Sequence, residues 1–468
     1  MKKFNREKAL RKIEFKRKWR SYSRYVYIAV PCVLCCLLCL YFAYSKFFVS
    51  EEQAVIRTTV GDFIHGDVVI GAYIDGEYSN TIPGKNDGYI VEKVSCDNGA
   101  VGKWNSDDWG LLTTNLSKRT KCNVYFKNPV SNIIAQLDTS GKCPTMNADG
   151  SVNVTVEEAT NGYLCKAKDA YGDSYYYRGN VTNNYVEFAG FYWRIVRING
   201  DGTVRVIYDG TSAHANGESS RDRQIGTSAF NSSYNDNAYV GYMYGQTGAS
   251  TYADAHANTN NSTIKTYIDN WYKTNIVGTT NEQYLADNVF CNGRSISSNK
   301  PTSNYNNLGY GTNVTAYRWY YGPWESGGYN SSMRLMCPQK NDAFTVSDIT
   351  NGNGALTYPV GLLSADEIVL AGGWPAANSS YYLYSGQYWW ASSPFDFTGN
   401  YARVRSIGSS GYANYSDYVN NNNGVRPVFN LKAEALKYGD GTASNPYRLT
   451  ESLANSSSSE SGGIDTGD

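Results

Sequence analysis

Residues that could perform acid–base or metal chemistry are few in this chain of 468 residues. The three histidines, His65, His214 and His256, have the spacing of neither a metal site nor a catalytic triad. The sequence also lacks a G-x-S-x-G elbow, an H-E-x-x-H helix and a phosphate-binding glycine loop. The adjacent Asp366 and Glu367 are explained by helix capping and first-turn charge. We therefore predict no catalytic residue, no metal and no cofactor.

Side chains suited to contact rather than catalysis are concentrated between Tyr388 and Asn423. The chain has 42 tyrosines against 15 phenylalanines, so most of its rings carry a hydroxyl group. Such rings stack on sugars or anchor protein contacts at low entropic cost. The alternative is that these residues form the core and wet face of a β-sheet, since alternation must turn Trp389 or Trp390 inward. The candidate ligand-binding residues are Trp390, Asn400, Tyr401, Arg403, Arg405, Tyr412, Asn414, Tyr415 and Tyr418.

A hairpin and a helix are predicted ahead of this segment. In the stretch "FAGFYWRIVRINGDGTVRVIYDG", β-branched and aromatic residues flank the turn Asn199–Gly202, which predicts a β-hairpin. The stretch "STIKTYIDNWYKTNIVG" has its apolar residues at helical spacing. Ser262 before this stretch and Gly278 at its end indicate where the helix begins and ends.

The candidate contact segment itself is predicted to be strand. "QYWWASSPF" is aromatic, "NYARVRSIG" alternates, and "GVRPVFNL" closes the folded region. Pro427 cannot donate a ladder hydrogen bond, so the last strand should lie at an edge or carry a bulge.

Arg426 in this last strand is predicted to be structural rather than ligand-binding. Its apolar neighbours indicate burial, which requires a carboxylate or several carbonyl acceptors. The stretch "LLSADEIVLAGG" predicts a short helix with a capping box from Ser364 to Glu367. We predict Asp366, at the start of that helix, as the partner of Arg426.

The N-terminal region is strongly basic and then apolar. Residues 1–25 hold eleven Lys or Arg against two Glu, although the whole chain has no net charge. The apolar stretch Tyr25–Tyr44 has the length of a membrane span, with aromatic residues at both ends. This predicts a basic cytoplasmic tail and one transmembrane helix at 26–48. The alternative is a signal peptide cleaved near Ala43 and Ser45.

Six cysteines follow the apolar stretch, and an even number in an exported segment indicates disulfides. Six cysteines allow fifteen connectivities, and the sequence does not choose among them. Pairing by neighbourhood gives Cys96–Cys122, Cys143–Cys165 and Cys291–Cys337.

Two resemblances suggest what the regions are. Residues 66–128, ending in "WGLL" and "KCNVYF", resemble the Ig-like stalk modules of surface proteins from Gram-positive gut bacteria. Residues 186–450 resemble the C-type-lectin-like fold of formylglycine-generating enzymes and of the variable proteins of diversity-generating retroelements, through "FYWRIVRI", "GLLSADEIVLAG", "YWWASS" and "GVRPVFNL". In the variable proteins, the resemblance implies a diversified ligand surface before a constant G-x-R-P-V strand. The sugar-binding motifs E-P-N, Q-P-D and W-N-D are absent.

The fold class predicted from these features is an α+β C-type-lectin-like head plus a small all-β, Ig-like module, preceded by one transmembrane helix. The expected order is a linker (49–65), a β-sandwich stalk (66–128), a linker or insertion (129–185), the head (186–450) and a disordered tail (451–468).

The predicted function is adhesion or recognition at the surface of a bacterial cell, without enzyme activity. The expected partners are the membrane, through a single span with a cytoplasmic N-terminus, and an extracellular protein or glycan, but no nucleic acid. Two alternatives remain: an enzyme of the sulfatase-modifying type, and a structural envelope protein.

Overall fold

The computed structural model describes residues 11–19, 69–85, 87–106, 108–115, 120–154, 161–296, 314–316, 332–373, 376–398, 400–413 and 415–450. The chain divides into two compact units. Unit 1 contains Met1–Tyr73, Tyr78–Asp87 and Lys93–Val124, and unit 2 contains Ile74–Glu77, Gly88–Glu92 and Tyr125–Asp468.

The first unit is a small β structure with a separate helix, α1, at residues 11–19. Along the sixth strand, "KCNVYFK", every second residue is buried, as expected when one face of a strand packs on a core. A disulfide joins Cys96 to Cys122. A four-stranded sheet has the order β2-β1-β6-β3, and β4 pairs with β5. The strands are β1 (Val69–Ile74), β2 (Glu77–Ser79), β3 (Ile90–Cys96), β4 (Val101–Asn105), β5 (Gly110–Thr114) and β6 (Lys121–Lys127).

The second unit contains the remaining described elements. Its strands are mostly short, and single turns of 3-10 helix lie at Arg221–Arg223, Asn237–Val240, Glu282–Tyr284, Lys340–Asp342 and Ala433–Leu436. In chain order the helices and strands are α2 (Ser131–Ile134), β7 (Thr145–Met146), β8 (Val152–Asn153), β9 (Tyr163–Asp169), β10 (Gly172–Arg178), β11 (Tyr185–Phe188), β12 (Phe191–Ile198), β13 (Val204–Gly210), β14 (Thr227–Ala229), β15 (Met243–Tyr244), α3 (Tyr252–Ala255), β16 (Asn260–Asn261), α4 (Thr263–Asn275), β17 (Phe290–Cys291), β18 (Val314–Ala316), β19 (Ser332–Met333), β20 (Ala343–Phe344), α5 (Ala365–Leu370), β21 (Trp389–Thr398), β22 (Ala402–Ile407), β23 (Tyr415–Tyr418), β24 (Asn422–Gly424), β25 (Val428–Leu431) and β26 (Tyr447–Arg448).

A seven-stranded sheet forms one side of the core of unit 2. Its path is β25-β13-β12-β10-β9, and β11 links β12 to β26. The predicted hairpin is confirmed: β12 and β13 are antiparallel, and the turn closes with the Gly202 N–H donating to Asn199 O (2.9 Å). Gly202 has a φ of +81°, a conformation that glycine adopts without steric cost.

A six-stranded sheet carries the segment rich in tyrosine and asparagine. Its path is β14-β24-β21-β22-β23, with β18 pairing to β21.

The asparagine tract ends in β24, and four residues later the chain enters β25 of the seven-stranded sheet. Pro427 lies between these two strands, where its missing N–H leaves no ladder bond unmade. A Cβ at Gly424 would lie 2.7 Å from Tyr388 O, so the crossing requires a residue without a side chain.

Aromatic packing joins the hairpin to helix α4 and to strand β25. The rings of Trp193 and Phe429 are stacked with centroids 4.6 Å apart, and Trp271 of α4 lies 6.2 Å from Trp193. The predicted cap of α4 is confirmed, because Ser262 accepts a hydrogen bond from Lys265 N (3.1 Å). The Ser364–Glu367 capping box of α5 is confirmed as well.

Two more disulfides lie in unit 2, Cys143–Cys165 and Cys291–Cys337. Together with Cys96–Cys122 they are the three pairs that neighbourhood in the chain predicts.

Three expectations about the fold require correction. The described residues are mostly β rather than α+β. Part of 129–185, the region predicted to be a linker or insertion, is sheet instead of linker, because β9 and β10 pair along their length and belong to the seven-stranded sheet. The predicted span at 26–48 lies outside the described residues, and within the described ranges no helix combines the length and apolarity needed to cross a membrane. The predicted transmembrane helix and the single-pass membrane location are therefore not supported.

Candidate ligand-binding surface

Exposed tyrosines of unit 2 gather at one end of the six-stranded sheet. Tyr234, Tyr388, Tyr401, Tyr415 and Tyr418 are each between 37 % and 43 % exposed. They lie on or beside β22 and on the terminal strand β23, and we call these five residues the tyrosine surface. Large exposed rings that contact one another mark interaction sites more often than isolated exposed rings do.

Three of the tyrosines contact one another on one face of the β22–β23 pair. The Tyr401 ring is stacked on Tyr234, with centroids 5.5 Å apart and planes 18° apart. The Tyr418 ring also contacts Tyr401, with centroids 5.0 Å apart and planes 55° apart. Tyr418 is directly opposite Arg403 in the strand register, so its side chain shares a face with Arg403 and Tyr401. Tyr401 thus contacts both Tyr234 and Tyr418, and Tyr418 is paired with Arg403 across the two strands.

The other two tyrosines form an edge-to-face pair. The rings of Tyr388 and Tyr415 have centroids 5.3 Å apart and planes 63° apart. Tyr415 is opposite Ser406 and therefore lies on the other face of the strand pair. Partial burial raises the pKa of Tyr415, and the neighbouring Asp417 and Tyr388 add to the shift. The phenol stays protonated near neutral pH and can donate a hydrogen bond.

Arg403 is held in a fixed orientation at the rim of the surface. Its Nε donates to Asp396 Oδ1 (2.7 Å) and its Nη2 donates to Asp396 Oδ2 (2.5 Å). The guanidinium carbon lies 4.6 Å from the centre of the Phe395 ring. The Arg403 side chain is nevertheless 29 % exposed. A bidentate pair with one exposed partner presents a pre-oriented cation to a ligand.

The asparagine tract beside the surface is ordered by Asp417. This carboxylate accepts hydrogen bonds from Asn421 Nδ2 (2.5 Å), Asn423 Nδ2 (3.1 Å) and the backbone N–H of Tyr418 (2.9 Å). The tract is therefore tied to β23 through one carboxylate that is opposite Val404 in the register.

The strand region that follows is anchored by Arg426, which is buried as predicted. Its Nη2 donates to Asp209 Oδ1 (2.8 Å), and its Nη1 and Nε donate to Leu383 O (2.6 Å) and Tyr208 O (3.1 Å). The predicted partner is wrong, because Asp366 instead accepts a hydrogen bond from Arg334 N (3.0 Å). The β13–β25 pairing brings Asp209 close to Arg426 in space.

Asp209 interacts with two further arginines besides Arg426. Arg223 Nε donates to the same Oδ1 atom (2.8 Å), and Arg194 Nη1 lies 3.9 Å from Oδ2. Burial lowers the pKa of Arg426 to about 10, although Asp209 opposes the shift, so the side chain is a cation at neutral pH. We call Asp209, Arg194, Arg223 and Arg426 the arginine cluster. All four side chains are fully buried.

Two residues predicted to bind ligand are interior instead. Trp390 is fully buried, and its indole N–H donates to Ser228 O (2.8 Å). Arg405 is 1 % exposed, and its guanidinium carbon lies 4.4 Å from the centre of the Phe395 ring. Alternation along β22 correctly places Arg405 on the same face as Arg403, but Phe395 of the adjacent strand lies against this part of the face.

The other predicted contact residues have different positions. Asn400 is exposed, Tyr412 is half-buried, and Asn414 lies outside the described residues. Sequence reasoning missed Tyr234 and Tyr388 as members of the surface. Tyr388 lies inside the predicted strand "QYWWASSPF", so the sequence contained a signal for its position. Tyr234 comes from a distant loop, and the hydrogen bond from Ala402 N to Tyr234 O (2.7 Å) that places it is not visible in the sequence.

A histidine cluster elsewhere in unit 2 has the residue types of an acid–base site. His214 Nδ1 lies 2.7 Å from Glu218 Oε1, and Nε2 lies 3.0 Å from Asp222 Oδ2. The hydrogen bond from His214 is the main cause of the lowered pKa of Glu218. Because both ring nitrogens face carboxylates, neither is directed at a nucleophile. Among the described residues, no group of three or more His, Cys, Asp or Glu side chains is arranged to hold a metal ion.

Comparison with known proteins gives one family match. Residues 330–433 match a family described as a domain of unknown function (DUF6273). The match includes α5, β21, β22, β23 and β24, and thus four of the five residues of the tyrosine surface, but less than a quarter of the chain. Comparison with curated proteins gives no match, and neither does comparison with solved structures.

Proposed function

We propose that unit 2 is a binding module whose tyrosine surface contacts a protein ligand. The observation that carries this proposal is the gathering of five exposed tyrosines at one end of a sheet, where three contact in sequence on one face and two form a pair on the other. Tyrosine and arginine are the side chains that most often dominate binding energy at protein interfaces. Tyrosine also loses little side-chain entropy when it is immobilised.

The geometry favours a protein over a single sugar ring. Tyr415 and Tyr418 lie on opposite faces of the terminal strand β23, which pairs with β22 alone among the described strands. A protein ligand can contact both faces and can also extend the sheet by pairing with a free strand edge. The pre-oriented Arg403 supplies a charged anchor beside the rings.

The resemblance to variable proteins with a C-type-lectin-like head stays a prediction, and it supports the same assignment. In those proteins the segment before the G-x-R-P-V strand is the ligand surface. Here the corresponding positions include Tyr401, Tyr415 and Tyr418, which are exposed.

A library of random twelve-residue peptides displayed on phage is the probe that tests the proposal. We expect peptides selected on the full chain to lose at least tenfold in affinity for the double variant Tyr401→Ala/Tyr418→Ala, about 1.4 kcal/mol. The matched control is Tyr163→Ala, which removes a half-buried tyrosine of β9. Peptides that bind the double variant as well as the parent would contradict the proposal.

A glycan microarray probed with the same proteins tests the alternative ligand class. Binding to a glycan that is lost in the double variant, without any tyrosine-dependent peptide, would replace the protein ligand by a carbohydrate.

A further inference from the structure

The histidine cluster, which consists of His214, Glu218 and Asp222, lies in the loop at residues 211–223 between β13 and β14. The His214 side chain is 7 % exposed and lies between the two carboxylates, with Nδ1 2.7 Å from Glu218 Oε1 and Nε2 3.0 Å from Asp222 Oδ2. The carboxylate side chains are themselves 45 % and 34 % exposed. A buried ring thus joins two carboxylates that solvent can reach.

Both contacts are hydrogen bonds only in one protonation state of the ring. A neutral imidazole has one donor nitrogen and one acceptor nitrogen, an imidazolium has two donors, and an ionised carboxylate only accepts. His214 therefore needs both ring protons to bind Glu218 and Asp222 together. Loss of either proton turns a nitrogen lone pair toward a carboxylate oxygen, so one of the two contacts is broken. Histidine is the side chain that ordinarily changes its charge between roughly pH 5 and 8.

Both carboxylates are ionised in that range of pH. The hydrogen bond from His214 is the main cause of the lowered pKa of Glu218. Burial opposes the shift in Asp222, but hydrogen bonds from Thr211 and His214 outweigh it and lower the pKa of this carboxyl as well. Within this range of pH, the proton that the cluster gains or loses is therefore carried by the imidazole ring.

The other charged groups packed beside the cluster are occupied with one another. Arg223, at the end of the loop, donates from Nε to Asp209 Oδ1 of β13 (2.8 Å). Arg194 of β12 has its Nη1 3.9 Å from Asp209 Oδ2. All three of these side chains are fully buried. They form part of the arginine cluster and keep their charges across the range in which histidine titrates.

The remaining neighbours of the histidine ring are neutral. The Tyr185 hydroxyl of β11 donates to His214 O (2.6 Å), and the phenol of Tyr208 interacts with Asp222. Burial raises the pKa of both phenols, in Tyr208 to about 12. At the end of β13, a Cβ at Gly210 would lie 2.8 Å from His214 Nε2, so the ring is seated directly on this strand.

The same loop holds a second segment of the chain, residues 385–387. The Ser220 N–H donates to Ser385 O (3.0 Å), and Gln387 Nε2 donates to Ser219 Oγ (3.4 Å). Gly386 has a φ of +67°, and a Cβ at this position would overlap Ser219. The two segments are therefore in close contact as well as hydrogen-bonded.

The histidine cluster determines the position of the two serines that make these contacts. Both serines lie between Glu218 and Asp222 in the chain, so the two carboxylate contacts with His214 fix the backbone on either side of them. Tyr388 follows directly after the held segment, and its carbonyl accepts a hydrogen bond from Gly424 N (2.8 Å). The backbone that leads into the tyrosine surface is thus anchored through the cluster.

We propose that the histidine cluster is a pH-dependent clasp. In acid, doubly protonated His214 binds Glu218 and Asp222 and holds residues 211–223 against residues 385–387. When the ring loses a proton in mild base, one carboxylate is released and the contact with residues 385–387 loosens. The proposal concerns how this segment is held, and it does not rest on the ligand proposed for the tyrosine surface.

Hydrogen exchange of the full chain at pH 5.5 and pH 8.5 tests the proposal, with mass spectrometry of peptides that cover residues 211–223. After correction for the intrinsic pH dependence of exchange, we expect protection of the Ser220 amide to be about tenfold lower at pH 8.5. This is the effect expected from the loss of one hydrogen bond between charged groups. In protein labelled with ¹⁵N-histidine, both ring nitrogens of His214 should have imidazolium shifts at pH 5.5.

Two variants of the cluster should respond in opposite ways. In Glu218→Gln the introduced amide both donates and accepts, so a neutral His214 can keep both contacts. Ser220 should then be as well protected at pH 8.5 as at pH 5.5. His214→Gln removes the ring that joins the carboxylates and should give low protection at both pH values. The matched control is Glu187→Gln, which changes an exposed carboxylate of β11 and should keep the pH dependence of the parent.

The other histidines are excluded separately. Burial, with a smaller contribution from Arg294, lowers the pKa of His256 to about 2, so this ring does not change its charge between the two pH values. His65→Gln removes the third histidine of the sequence and should leave the exchange pattern unchanged. The proposal is overturned if Ser220 is equally protected at both pH values in the parent. It is also overturned if Glu218→Gln keeps the parent's pH dependence, or if His65→Gln removes it.

Discussion

The arginine cluster and the tyrosine surface use overlapping residue types in opposite ways. In the cluster, Arg426 and Arg223 are fully buried and share one carboxylate oxygen of Asp209. At the surface, Arg403 is bound to Asp396 in a similar ion pair but remains partly exposed. Taking a charge out of water is costly, so the buried pairs must be complete, whereas the exposed pair is screened by solvent. Changes in the cluster should therefore act on stability, and changes at the surface on binding.

The largest effect is expected from Asp209→Asn, which removes the charge shared by the buried arginines. Loss of one partner of a buried ion pair costs ~3–5 kcal/mol, and here two arginines lose a hydrogen-bonded carboxylate. We expect the free energy of unfolding of unit 2 to fall by about 5 kcal/mol in urea denaturation.

Asp173→Asn is the matched control for this change. Asp173 pairs with Lys166 at 2.7 Å, but both side chains are more than a third exposed. An exposed pair contributes ~0–1 kcal/mol, so the control should unfold nearly like the parent. If both variants lost the same unfolding free energy, buried and exposed ion pairs would not differ in their contribution to stability.

Glu367→Gln should lower stability by about 4 kcal/mol at neutral pH, and by less in acid. Burial alone would raise the pKa of Glu367, but Arg205 and Arg197 outweigh it, so the pKa lies below the ordinary value of 4.5. A carboxylate whose pKa is lowered by folding stabilises the native state above pH 4.5, and this contribution is lost as the pH falls through the folded-state pKa.

Urea denaturation of Glu367→Gln and parent at pH 7 and at pH 3 checks this prediction. The difference between the two proteins should be smaller at pH 3, which lies below the ordinary pKa of 4.5, because the stabilising contribution of the carboxylate declines as the pH falls from that value. A difference in unfolding free energy that is equal at the two pH values would exclude the charge of Glu367 as its cause.

Trp390→Phe is expected to cost about 2 kcal/mol, because it leaves a small cavity and deprives Ser228 O of its indole donor. It should not change the affinity of selected peptides beyond its effect on folding. Thermal unfolding and peptide binding of the same sample measure both. A loss of peptide affinity without any loss of stability would show that Trp390 takes part in ligand binding, as the sequence predicted.

The smallest stability effect is expected from Arg403→Ala at the rim of the surface. Its ion pair with Asp396 is partly exposed, so we expect a loss of less than about 1 kcal/mol in unfolding free energy. Peptide affinity should fall several-fold, because a charged anchor of the contact is removed. An unchanged peptide affinity would show that Arg403 does not contribute to binding and that the tyrosines alone form the contact surface.

Local patterns in the sequence predicted the local parts of this fold. The Asn199–Gly202 turn, the cap at Ser262 and the capping box at Ser364 depend on residues only a few positions apart. Neighbourhood also identified all three disulfide pairs.

Contacts between distant segments were not predictable in the same way. Burial of Arg426 followed from its apolar neighbours, but its partner Asp209 comes from another strand, 217 positions earlier in the chain. Alternation identified the face of Arg405 without showing that Phe395 lies against it. Tyr234 joins the tyrosine surface only through a backbone hydrogen bond from Ala402. Prediction fails here because a strand pattern specifies two faces but not what covers them.

The most direct test of the separation between scaffold and surface is a paired measurement on Tyr401→Ala/Tyr418→Ala. Unfolding free energy from urea denaturation and affinity for a selected peptide are measured on the same preparation. We predict a change in unfolding free energy below about 1 kcal/mol, since both rings are exposed, together with at least a tenfold loss of affinity. A large loss of stability with unchanged affinity would contradict this, because the tyrosines would then belong to the scaffold.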